Sequence, residues 1–131
     1  MLNDYIRRFG EQAQVDLKPL DEDGYTDVRR GSATVGVNVL EDHGILLFLS
    51  RIMDVPKSGR ETFYRKLLEL NFLATSDGAF AIDKDKDALY LRCLRRLSGL
   101  DYEEFEDMLH TMATVADEWD DRLQELFGSG A

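Results

Sequence analysis

From Phe105 to Leu126 the apolar residues Phe105, Met108, Leu109, Met112, Val115, Ala116, Trp119, Leu123 and Leu126 recur at three- and four-residue spacing. That spacing keeps them on one side of an α-helix. So long and one-sided a helix has to lay its stripe on another element, so the rest of the chain must supply an apolar layer. Its start is marked. Asp101 stands at the N-cap with Glu104 three residues on, and Leu100 and Phe105 are spaced for a hydrophobic staple. Acids in the first turn suit the positive end of the helix dipole. The opposite side is acidic: residues 101–131 hold ten acids and one base, whereas residues 1–100 are close to neutral. The net charge of -10 therefore comes almost wholly from this segment. It reads as a solvated face that keeps the chain soluble, with a docking face for a basic partner as the sharper alternative.

The layer beneath that helix is readable upstream. Val35, Val37 and Val39 alternate with Gly36 and Asn38, as in a half-buried strand. Glu41-Asp42-His43-Gly44 reads as a hairpin loop. Ile45 to Leu49 is apolar at every position, so this strand is expected to be central and covered on both faces. Pro56 ends it, since proline cannot donate to a ladder. A short extra strand fits Tyr25 to Arg29. Residues 2–14 read as a first helix, with Leu2, Tyr5, Ile6, Phe9 and Ala13 on one side. Pro19 and Asp21-Glu22-Asp23-Gly24 break the chain after it.

Residues 59–73, GRETFYRKLLELNFL, read as a second helix with an over-wide stripe. Phe63, Leu67 and Leu70 form one row; Tyr64, Leu68 and Phe72 lie beside it, and Leu73 extends the apolar end. A single core contact needs a stripe of about 100°. The excess width means either a helix sandwiched inside the monomer or one side packed on a second chain; a chain this short favours the second, and Phe63, Leu67 and Leu70 are the expected dimer contacts.

The stretch AIDKDKDALYL holds Asp83, Asp85 and Asp87 at alternate positions, the opening of a calcium loop. Such a loop needs glycine at its sixth position and glutamate at its twelfth. Here those places hold Ala88 and Leu94, and the flanks read as strands, Ala79 to Asp83 and Ala88 to Leu94. The aspartates are the polar lip of a β-hairpin. In the second strand Leu89, Leu91 and Cys93 share one face and Tyr90, Arg92 and Leu94 the other, which makes Cys93 a small core residue.

No constellation calls for catalysis, a cofactor or a metal. His43 falls in a turn and His110 on the polar side of the last helix, with no HxxxH or CxxC spacing. Neither a GxSxG nor a P-loop is present. Arg92, Arg95 and Arg96 read as surface charges or ion-pair partners of the acidic helix. One cysteine excludes an internal disulfide and fits a reducing compartment. The start MLNDYIRRFGEQ lacks the apolar core of a signal peptide, and no run approaches the ~20 apolar residues of a membrane span. The expectation is a cytoplasmic protein with no membrane partner and, given its negative charge, no nucleic-acid partner. The fold class is α+β, a single domain over residues 1–127 with a flexible tail at 128–131. Its order is helix, two or three antiparallel strands, helix, β-hairpin, long C-terminal helix.

The segment from YRKLLELN through the A-F-A-I-D and A-L-Y-L-R hairpin to the final helix with Ala116, Trp119 and Leu123 resembles the type III secretion chaperone family, the Tir chaperone (CesT) group. Val55-Pro56 before the second helix fits too. The likeness covers residues 45–127 and fades over 1–44. A YbjN-like family, a regulatory or adaptor group of the same fold, shows a similar pattern. The chaperone resemblance implies a homodimer built through the second helix and no enzyme activity. It also implies binding of an extended, partly unfolded client segment of a secreted protein along the sheet and first helix.

Overall fold

The computed structural model describes residues 1–128, so of the expected tail only Gly128 falls within the described residues; it follows the last helix directly. The element order is α1 (Leu2–Ala13), β1 (Tyr25–Arg30), β2 (Ala33–Leu40), a 3₁₀ turn (Glu41–His43), β3 (Ile45–Asp54), α2 (Arg60–Leu73), β4 (Ala79–Asp83), β5 (Ala88–Arg96) and α3 (Tyr102–Phe127). The strands form one five-stranded antiparallel sheet in the order β1-β2-β3-β5-β4. The order as read from sequence stands, with the short extra strand present as β1.

The long stripe finds its cover. α3 lies across one face of the sheet, where Val35, Val37, Leu46, Phe48, Leu89 and Leu91 meet Phe105, Leu109, Met112 and Leu123, all buried. Each such side chain stabilises the fold by about 1.5–3 kcal/mol before chain entropy is counted. The stripe stops short of its expected end: Leu126 is exposed. β3 is central, as expected, but covered on one face only. Leu46, Phe48 and Ile52 are buried under α3, whereas Ile45, Leu47 and Leu49 on the other face are only half-buried. All-apolar composition signalled the position of β3 in the sheet, but among the described residues no helix lies on its second face.

The start of α3 is built as its sequence implies. Asp101 Oδ1 accepts from Glu104 N at 2.8 Å, and Leu100 and Phe105 are both buried. The Glu104 side chain takes an Arg95 guanidinium at 2.8 Å instead of closing a capping box, tying the end of β5 to the helix. Part of the acidic run also faces inward. Asp120 is buried and accepts from Ser32 Oγ at 2.8 Å, and Asp117 accepts from Ser32 N at 3.1 Å. These acids hold the β1–β2 turn, where Gly31 has a φ of 58° and no room for a Cβ beside Asp117.

α1 docks on the N-terminal half of α3 through an aromatic cluster of Tyr5, Phe9, Tyr102 and Phe105. The Tyr102 hydroxyl lies 2.8 Å from Gln12 Oε1 and 2.9 Å from Glu106 Oε2, under the Arg8 guanidinium. Burial, then the hydrogen bond to Glu106 and its charge, push this phenol up to about 12 against the opposing pull of Arg8. An unfolded tyrosine titrates near ~10, so the folded chain holds the proton more tightly. The resulting stabilisation is complete below pH ~10 and is lost as pH rises through ~12. Tyr102→Phe should therefore flatten the alkaline fall in stability across that window, measured by denaturant unfolding. An unchanged alkaline slope would remove Tyr102 from that role.

Candidate partner-binding surfaces

α2 resolves its wide stripe into an inner and an outer row. Phe63, Leu67 and Leu70 turn inward, 0%, 6% and 6% exposed, and Phe63 packs edge-on against Phe127 of α3 at 5.1 Å. The residues expected at a dimer contact are thus part of the chain's own core, and only the row beside them is open to another chain. Tyr64, Leu68 and Phe72, with Leu73, are 37%, 71%, 82% and 84% exposed. Residues one position apart on a helix sit ~100° apart, which is why one helix serves two surfaces.

The position of α2 is set by a residue whose role was not read from the sequence. Asn71 Oδ1 accepts from Phe80 N at 2.8 Å and Asn71 Nδ2 donates to Phe80 O at 3.2 Å. One amide therefore satisfies both outward backbone groups of Phe80, the second residue of the edge strand β4. The only hint was a polar residue closing the apolar run LLELN.

The opposite edge is less guarded. Gly24 O accepts from Val39 N, so by antiparallel alternation Thr26, Val28 and Arg30 face β2, while Tyr25, Asp27 and Arg29 face outward. Tyr25 is capped by Asp21, through both its N–H and its carbonyl. Among the described residues nothing caps Asp27 or Arg29, so β1 offers a short free edge.

The sheet face away from α3 is open. Register places Leu40, Ile45 and Arg96 in one row, Asn38, Leu47 and Leu94 in the next, and Gly36, Leu49 and Arg92 beyond them. Two shallow depressions lie here. One of about 390 Å³ sits between Tyr25 and Tyr90, and one of about 220 Å³ lies between Leu49, Ala81 and Arg92. Gly36 has a packing reason to be glycine: a Cβ would stand 3.0 Å from the Tyr25 ring that lies over it.

The remaining residues considered in the sequence lie at separate places. Asp83, Asp85 and Asp87 occupy the β4–β5 turn. There Asp83 Oδ1 accepts from Asp85 N, Asp87 adopts a φ of 49°, and its carboxylate lies 3.6 Å from Arg60. Cys93 is buried, and that burial pushes its thiol up, away from thiolate chemistry. His43 and His110 lie on the surface at separate places, His110 beside Arg30 and Phe9. No helix among the described residues is long and apolar enough to cross a membrane.

An open sheet face, a free strand edge and an outward apolar helix row are the surfaces this chain leaves uncovered among the described residues. The sequence matches the family model of the Tir chaperone protein (CesT) family over residues 4–120, and the chain belongs to that family. Its fold is that of several solved structures. A chain of the ExsC-ExsE complex aligns with a TM-score of 0.72 at 21% identity, covering 93% of this chain and 92% of that one. A chain of the heterodimeric ExoU-SpcU complex from the type III secretion system of Pseudomonas aeruginosa aligns at 0.68 and 20% identity, covering 97% and 98%. YbjN, a putative transcription regulator from E. coli, aligns at 0.59 and 13% identity, covering 91% of each chain. A comparison with curated proteins finds no match.

Proposed function

We propose that this chain is a non-catalytic chaperone that pairs with a second copy of itself through α2 and holds an extended segment of a client protein. The observation that carries the reading is the uncovered apolar face of the sheet beside an uncapped β1 edge, in a chain of the Tir chaperone family. Solved complexes of the same fold, ExsC-ExsE and ExoU-SpcU, support the client role. A client in extended form would add its backbone to Asp27 and Arg29 and set alternate side chains beside Tyr25, and its continuation would cross the open face over Leu49 and Tyr90. Pairing through Tyr64, Leu68, Phe72 and Leu73 would withdraw from water a row that single chains rarely leave exposed. The client is a secreted effector in this reading, and the chain acts in the cytoplasm before export.

The test is capture of the tagged chain with its bound partner, followed by hydrogen exchange on the complex. Slowed exchange at the Asp27 and Arg29 amides of β1 is expected. A stable partner that leaves β1 unprotected and the open face unchanged would overturn this placement of the client.

A further inference from the structure

We infer that the open sheet face selects client segments in which apolar residues are interleaved with aspartate or glutamate. This rests on the client-holding reading and adds to it the chemistry of the segment held. Although the chain carries a net charge of -10, this face is positive. Strand register puts Arg29, Arg51, Arg92 and Arg96 on it, with Lys86 at the rim of both depressions, against the acids Asp27, Asp54 and Asp83. Arg51 is engaged by Asp54. Among the described residues, no acid lies within salt-bridge distance of Arg29, Lys86, Arg92 or Arg96.

Free cations set among leucines ask for a ligand that is both apolar and acidic. The row through Leu49 has Gly36 on one side and Arg92 on the other, so an apolar side chain seated over Gly36 and Leu49 has a guanidinium beside it. An extended segment presents every second side chain to the surface it covers. Leucine or valine in the two depressions, with carboxylates reaching Arg92 and Arg96, satisfies both features. The acidic outer face of α3 repels such a segment, so the field of the whole chain steers it toward the sheet. A second copy offering its own α3 is the other acidic occupant. That contact would join two different surfaces, and repeated head to tail it would build rings or open-ended assemblies.

Display selection of short random segments on the full chain distinguishes these cases, run in parallel with an R92E/R96E variant. Enriched segments should be acidic and apolar by turns, and the variant should bind them roughly tenfold more weakly, with most of the wild-type affinity lost in high salt. Circular dichroism confirms that the variant is folded, as expected for two exposed positions. Enriched segments that are neutral or basic, or acidic ones bound equally by the variant, would overturn the charge rule while leaving the client-holding reading intact. No enrichment at all would overturn both. A fall in the assembly mass of the variant without any peptide would assign the face to a second copy, and that too overturns the proposal.

Discussion

Replacing Leu68 and Phe72 together by aspartate is expected to halve the mass of the particle in light scattering at micromolar concentration, with the helical circular dichroism signal kept. Both side chains point away from the chain's own core, at 71% and 82% exposed, so the substitutions remove nothing from the interior of one copy. In a two-fold contact the same row meets itself, and each substitution appears twice. The paired chains would have to bury unpaired carboxylates facing one another, a cost of several kcal/mol per ion even after relaxation. That exceeds what a helix-sized apolar contact regains. A particle of unchanged mass would show that the outer row of α2 is not where two copies meet.

Phe63→Ala should do the reverse, costing about 3–5 kcal/mol of folding free energy. Phe63 is fully buried, packed edge-on to Phe127 and close to Tyr64. Removing its ring leaves a cavity at the junction of α2 and α3, and α2 is otherwise moored by Asn71 on β4 and by Leu67 and Leu70. Since total stability of a domain is about 5–15 kcal/mol, this is a large share of it. Pairing raises apparent stability by mass action, so the comparison belongs in the Leu68/Phe72 variant background, where each copy unfolds alone. A loss below ~1 kcal/mol there would mean that the inner row is not core. The two experiments separate residues that are neighbours on one helix turn and differ only in which way they face.

Much of the fold was legible because local periodicity carries it. The stripe from Phe105 to Leu123, the Asp101 cap, the alternation of Val35, Val37 and Val39, and the hairpin around Lys84-Asp85-Lys86 each depend on residues close in sequence, and each stands. The central position of β3 was also readable from its all-apolar run, but the cover on both faces which that run implied is present on one face only among the described residues. The surfaces were less legible. Width of the α2 stripe told that the helix carries more apolar surface than one core contact needs but not which row turns inward. Deciding that requires knowing where Phe127 and β4 lie, and these are distant in sequence. The same holds for the acidic helix, where Asp120 looks like its neighbours until Ser32 is brought beneath it.

By itself, then, the sequence determined the elements, their order, the α+β class and the absence of any recognisable catalytic or metal-binding pattern. It also carried the resemblance to the secretion chaperones. Tertiary structure alone decided that, among the described residues, the helices leave one sheet face bare, that Asn71 caps Phe80 at the β4 edge while Asp27 and Arg29 of β1 stay uncapped, and that free arginines gather on the bare face of an acidic chain. The physical reason is range. Helix and strand patterns are fixed by spacings of two to four residues, whereas an exposed face is defined by what fails to cover it, and that depends on every other element at once.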